Sequence, residues 1–172
     1  MITRTLAIYG VEYIKPTLVW MVTTIVVSLV LVVTIYPAGI LLTTRLNPIP
    51  FVKKTAKIGL FAAATNSSAA TLPLNMKTCT EELGCSEEIG SFVLPTGMTI
   101  NMNGTTAMHM VAITFIATAA GIDITPSVLV VAGFLSICTA MGTPAIPVAG
   151  TTMIYVLMSG LGLNSELCMI GY

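Results

Sequence analysis

The run Asn101-Met102-Asn103-Gly104-Thr105 constrains this chain more than any other feature, because it is polar, centred on a glycine and embedded in apolar sequence. On either side lie Ser91 to Ile100 and Ala107 to Ala120, which together read as one membrane helix. In hydrocarbon every unpaired backbone N–H or C=O costs several kcal/mol, so irregular backbone at membrane depth needs partners supplied by protein or ion. An unwound stretch there survives only where it lines an enclosed cavity or holds an ion.

Composition supports a membrane as the solvent: 55% of residues are apolar, 8% are charged and mean hydropathy is +0.95, outside the ordinary soluble range. Formal charge is zero and the one basic cluster is short, which leaves no electrostatic footprint for nucleic acid. All seven Lys and Arg lie in the first 77 residues, and Arg45, Lys53, Lys54 and Lys57 directly follow the apolar run Leu18 to Leu42. Positive charge beside a span marks its cytoplasmic end, so this helix should run from outside to inside. Its length exceeds the ~20 residues needed to cross, and Pro37 is expected to kink it near the inner end. A signal peptide does not fit: the run is too long, starts too late and lacks a small-residue cleavage site.

Beyond the basic loop, Lys57 to Asn66 reads as a helical arm, Ser67-Ser68-Ala69-Ala70-Thr71-Leu72-Pro73 as a tip, and the following residues through Leu83 as a second arm. An arm of about 14 residues reaches only ~20 Å, which suits a re-entrant hairpin entering from the cytoplasm. The acidic stretch Glu81 to Glu88 reads as a solvated loop, with Ser86 available to cap the next helix. The broken helix then returns the chain to the outside, where Pro126 is placed at a helix start. Two further short arms, Ser127 to Met141 and Thr151 to Leu163, flank Gly142-Thr143-Pro144-Ala145-Ile146-Pro147-Val148-Ala149-Gly150. Two prolines and two glycines forbid a continuous helix there, giving a second re-entrant hairpin from the outer side.

Cys79, Cys85, Cys138 and Cys168 form no CxxC pair and have no histidine at ligand spacing, which favours incidental thiols over a zinc or disulfide framework. His109, the only histidine, has two readings, as a pore-lining group or packed inside the bundle, and the second weighs more.

The expected architecture is an all-α membrane protein with two re-entrant hairpins and one broken helix. Its parts are an N-terminal segment and span (1–48), a cytoplasmic-side hairpin (49–90), the broken helix (91–121), an external hairpin (122–166) and the start of a final helix (167–172). Span plus hairpin followed by broken span plus opposite hairpin is an inverted repeat, and such repeats hold solute at their interface. Half-helix N-termini there offer N–H groups to anions, while unwound carbonyls offer oxygen to cations.

On these residues the chain resembles the dicarboxylate/amino acid:cation symporter family, which includes the glutamate and aspartate transporters. Three signatures carry the resemblance: the serine-rich tip ending in Ala-Thr-Leu-Pro within Asn66 to Pro73, the Asn-Met-(Asp)-Gly-Thr tract at Asn101 to Thr105, and the Gly-Thr-x-x-x-Pro-x-x-Gly tip at Gly142 to Gly150. Each string is weak singly, but order and spacing agree from Pro48 to Leu163. Inverted repeats are a described property of an aspartate-transporting member, so layout and resemblance count as one argument.

The resemblance implies a sodium-coupled symporter of an amino acid or dicarboxylate, multi-pass in the plasma membrane, as in the bacterial inner membrane. No organic cofactor is implied, only sodium as coupling ion. The implied partners are the bilayer, the solute and, at full length, two further copies in a homotrimer. Ser67 and Ser68 resemble substrate contacts, with backbone amides near Ser68 binding a carboxylate, and Thr105 faces the solute. Ala145, Ile146, Pro147 and Gly150 belong to the outer tip that closes over it. Gly97, Asn101, Met102, Asn103, Ser136, Ile137 and Thr143 resemble positions that give oxygen or sulfur ligands to sodium.

Three departures qualify what is carried over. Asn103 replaces the family's aspartate, removing a formal charge from a cation site. Ala145 and Val148 stand where relatives usually carry glycine, narrowing the tip's conformations. Relatives also continue into a final helix that supplies a carboxylate for sodium, an asparagine for the substrate amino group and, for acidic substrates, an arginine; none has a counterpart before Tyr172. The expectation is therefore a partial transport domain of the elevator type. Two other readings stand beside it: a truncated, non-transporting product, and an intramembrane hydrolase using Ser67 or Ser68 with His109. The hydrolase lacks a GxSxG elbow, and its nearest acid, Asp123, lies in a turn.

Overall fold

A computed structural model describes residues 14–119, 121–147 and 149–161, the side chains of 14–17 and 119 excepted. Expectations placed on residues 1–13, Ala120, Val148 and 162–172, including the final-helix start at 167–172 and Cys168, lie outside the described residues. Every regular element among those described is helical.

Helix α1 (Ile14–Val30) passes through a π segment (Leu31–Ile35) into α2 (Tyr36–Thr44). Over Leu18–Thr44 this helix has 27 residues, its most apolar stretch reaches a mean hydropathy of 2.7, and it alone among the described residues is long and apolar enough to cross a membrane. Pro37 brings no N–H to the ladder, and the register opens just ahead of it: the Tyr36 N–H reaches back five residues to the Leu31 carbonyl. Threonine hydroxyls bond within the helix, Thr23 donating to the Val19 carbonyl at 2.8 Å, Thr24 to Trp20 at 2.9 Å and Thr43 to Gly39 at 2.7 Å. A lipid-facing surface requires such internal bonding.

Arg45 ends α2 in the left-handed region (φ 56), and Asn47 caps α3 (Pro48–Thr65) by accepting from the Ile49 N–H at 3.0 Å, with Pro48 in the first turn. The arm expected from Lys57 thus begins at Pro48, and Lys53, Lys54 and Lys57 ride on a helix instead of a loop. Asn66 (φ 48) reverses the chain into α4 (Ser68–Glu81), and Ser86 caps α5 (Glu87–Ile100). After a two-residue break follow α6 (Asn103–Ala119), α7 (Pro126–Met141) and α8 (Ala149–Gly160). Gly150, expected in the outer tip, instead lies inside the first turn of α8.

These helices gather into two compact units. One comprises Leu29–Met102 and Met141–Ala149. Within it α3 packs on α4 and α4 on α5, and Glu82 ties the α4 end back to α3: its carboxylate pairs with Lys57 and its carbonyl accepts from Lys54. The acidic loop is thus fastened at Glu82.

The other unit comprises, among the described residues, 14–28, 103–119, 121–140 and 150–161. Its core is Ala112, Ile113 and Ile116 from α6, Ala132 from α7 and Ile154, Leu157 and Met158 from α8, with Trp20 packed against them. The small side chains of Ala112 and Ala132 permit close helix approach, the usual device where lipid offers no hydrophobic drive. Gly121 (φ 68) closes α6: the Ile122 N–H bonds the Ala117 carbonyl at 2.9 Å and the Gly121 N–H bonds Thr118 at 3.1 Å, the glycine-ended pattern of helix C-termini.

Candidate binding site

The first unit contains the serine tip, the end of the first half of the broken helix and the outer tip. Ser67 is extended (φ −144, ψ 117), and its hydroxyl oxygen accepts from the Ala70 N–H at 3.2 Å, capping α4. Its proton goes to the Ala145 carbonyl at 3.1 Å, and the Ala69 N–H reaches that same oxygen at 3.3 Å. The two tips, 78 residues apart in sequence, therefore meet through one carbonyl held by two donors at a helix N-terminus. Behind them Thr71 is buried and donates to the Ser67 carbonyl at 2.8 Å, fixing the turn.

Ser68 is exposed as the first residue of α4, and in the outer tip Thr143 is buried at 4% exposure, Ala145 is half-buried, and Ile146 and Pro147 are exposed. The Ala149 N–H turns back to the Ile146 carbonyl at 3.4 Å, which starts α8 one residue ahead of Gly150.

The break in the membrane helix has a specific form. The Asn101 N–H still bonds Gly97 at 2.9 Å, but the Met102 N–H turns to Ile100 at 3.1 Å around Asn101 (φ −91, ψ 70), an inverse γ-turn. Helix resumes at Asn103. The polar tract of five residues thus spends only Asn101 and Met102 outside helical structure. Gly97 and Met102 are half-buried, and Asn101 is exposed at the turn. A cluster of carbonyl oxygens at a helix C-terminus suits a cation.

The second unit holds Asn103, Thr105, Ser136, Ile137 and Gly150. A Cβ on Gly150 would lie 3.2 Å from Thr105 Cγ2 and 3.4 Å from Met108 Cε, so glycine is what lets α8 approach α6 here. The Gly150 carbonyl accepts from His109 Nε2 at 2.9 Å, and His109 Nδ1 faces Thr139 Oγ1 at 3.4 Å. A carbonyl can only accept, so Nε2 carries the proton in this pairing. His109 is fully buried and joins α6, α7 and α8, which is the packed reading of the two. Sequence reasoning missed its partner Gly150, 41 residues away. Ser136, fully buried, gives its proton to Met110 Sδ at 3.5 Å; Asn103 is exposed at the α6 start and the Ile137 side chain is half-exposed.

Ser67→Ala removes both a helix cap and the contact to Ala145, and is expected to lower stability by about 1–3 kcal/mol. Thermal unfolding should register a fall of roughly 2–10 °C, with Ser67→Thr recovering most of the loss. An alanine variant melting with the parent would mean that the serine holds nothing.

The family model described as "Sodium:dicarboxylate symporter family" matches residues 1–171. A Caenorhabditis elegans protein named as a sodium-dependent excitatory amino acid transporter is 33% identical over 151 residues, covering 88% of this chain and 30% of that protein. Rat excitatory amino acid transporter 1 is 33% identical over 145 residues, 84% of this chain and 27% of its own length. Human excitatory amino acid transporter 2 is 30% identical over 164 residues, 95% and 29% respectively. The chain thus spans about three-tenths of the length of the curated relatives it matches. With the helix broken inside its polar tract, two tips joined at Ala145 and a family match running almost end to end, this chain belongs to the sodium:dicarboxylate symporter family.

Proposed function

We propose that this chain is the core of an elevator-type transport domain for sodium-coupled symport of an amino acid or dicarboxylate across the plasma membrane. The observation that carries the reading is the Ala145 carbonyl held by the Ser67 hydroxyl and the Ala69 N–H. A carboxylate oxygen is a better acceptor for such donors than a neutral carbonyl. A solute carboxylate at the α4 N-terminus therefore competes with Ala145 for the same two donors, and its arrival re-seats the outer tip around it.

Sodium enters at the broken helix. The carbonyls around Asn101, with Gly97, Met102, Asn103, Thr143, Ser136 and Ile137 as the proposed ligand set, favour a cation over an anion. Occupancy there orders the tract and shifts the outer tip toward its closed form over solute, Thr105 and Gly150 included, so that the loaded state is the one that crosses. On this topology Leu18–Thr44 spans from outside to inside, α3 and α4 enter from the cytoplasm, and α7 and α8 enter from outside. The full-length carrier assembles as a homotrimer and uses no organic cofactor.

Recognition fits the side-chain partners better than hydrolysis does. The Ser67 proton is given to Ala145, and the His109 nitrogens engage Gly150 and Thr139, so neither is arranged as a nucleophile and base.

The test is thermal protection of the purified chain in detergent by candidate amino acids and dicarboxylates, in sodium against choline. A ligand at ~100 times its Kd stabilises by about 2.7 kcal/mol, so protection of several degrees appearing only with sodium is expected. Equal protection in choline would refute sodium coupling. No protection by any solute would leave the chain without a binding function of its own.

A further inference from the structure

Two thiols lie together at the corner where α4 hands over to α5, and the symport reading uses neither. Cys79 is half-buried in the last turn of α4, and Cys85 is exposed just before Ser86, the cap of α5; both are free thiols. Between them the Glu82 and Leu83 N–H groups turn back to the Thr78 carbonyl at 3.0 and 3.2 Å, and Gly84 (φ 73) takes the left-handed conformation that brings the chain round. The Cys85 N–H then bonds the Cys79 carbonyl at 2.9 Å.

That backbone bond fixes the separation of the two residues. The path from one Cα through the carbonyl and the hydrogen bond to the other is ~7 Å when straight, and it shortens with the bend at the carbonyl. Disulfides bridge Cα separations of about 4.4–6.8 Å. Cys79 Sγ donates to Asn75 Oδ1 at 3.4 Å. Burial, then the neighbouring Cys85, hold the Cys79 thiol above the ordinary thiol range. The exposed Cys85 is accordingly the group that meets an oxidant first, and Cys79 the one that resolves.

We propose that Cys79 and Cys85 form an oxidisable dithiol, a modification site that closes to an intramolecular disulfide and pins the α4–α5 corner. With hydrogen peroxide as oxidant, the Cys85 thiolate attacks one peroxide oxygen, the O–O bond breaks, and the departing hydroxide takes a proton to become water. Cys85 is left as the sulfenic acid. The Cys79 sulfur then attacks Cys85 Sγ, the S–O bond breaks, and hydroxide leaves with the Cys79 proton as a second water. Two thiols lose two electrons and the peroxide gains them. A small-molecule dithiol reverses the step by exchange. Placing this corner in the cytoplasm rests on the symport reading; there the pair is reduced at rest and closes only under oxidative load.

The experiment is peroxide titration of the whole chain in detergent, followed by alkylation and peptide mapping. The expected result is a Cys79–Cys85 linked peptide, with alkylation of both residues falling together by at least about tenfold and returning after dithiothreitol, while Cys138 stays reactive. In Cys85→Ser, an exposed substitution that leaves the packing alone, Cys79 should remain open to alkylation after the same treatment. Cys85 recovered only as its sulfinic acid, or bridged to Cys138, to Cys168 or to a second chain, would overturn the proposal. Neither result requires transport, so failure of the symport reading and failure of the dithiol are told apart.

Discussion

His109→Ala is expected to destabilise the chain by about 3–5 kcal/mol, the largest stability effect we anticipate from a single side chain here. His109 is fully buried among α6, α7 and α8 and fills space that no neighbour can reach without moving. Its removal leaves a cavity and takes a donor from the Gly150 carbonyl at the point where α8 lies so near α6 that a Cβ on Gly150 would sit 3.2 Å from Thr105 Cγ2. A fall in Tm of roughly 6–20 °C follows for a chain of this size. His109→Gln separates the two contributions, because an amide N–H2 can still donate to Gly150 while filling most of the volume. The glutamine variant should recover more than half of the loss. If alanine and glutamine melt alike and close to the parent, the His109–Gly150 bond does not hold the outer hairpin's second arm to α6.

The contact between His109 and Gly150 leaves no trace in the sequence, for a physical reason. The break at Asn101 was legible because polar residues and a glycine interrupt an apolar run, and local chemistry suffices to interpret them. The π segment ahead of Pro37, the start of α7 at Pro126 and the Ser86 cap are likewise local events with local signals. The start of α3 has its own local signal in the Asn47 cap and Pro48, but the three lysines that follow read more readily as a solvated loop. Gly150 reads as part of the tip because glycine usually marks a turn; its role is steric, set by Thr105 and Met108 on another helix. The meeting of Ser67 with Ala145, and of His109 with Gly150, joins residues 78 and 41 apart. Such pairings arise from packing and leave no periodicity in one sequence.

Asn103→Asp should raise the apparent sodium affinity by about tenfold, judged by the sodium concentration that gives half-maximal thermal protection in the presence of solute. Asn103 opens α6 at the broken helix and stands where the family's tract carries aspartate. Two unit charges ~4 Å apart attract by about 4 kcal/mol at an effective dielectric of 20, but Asn103 is exposed, and solvent discounts that figure to the 1.4 kcal/mol of a tenfold change. A second effect acts in the same direction and has to be separated from the first. A carboxylate in the first turn of a helix is stabilised by the N-terminal N–H groups by roughly 0.3–1 kcal/mol whether or not an ion is bound. In choline, therefore, the aspartate variant should melt slightly above the parent, and the gap should widen as sodium replaces choline. A gap independent of sodium would reduce Asn103 to a capping position. An unchanged half-saturating concentration would remove it from the proposed cation site, and the amide would then be a substitution this chain tolerates because the proposed coupling ion binds elsewhere on the broken helix.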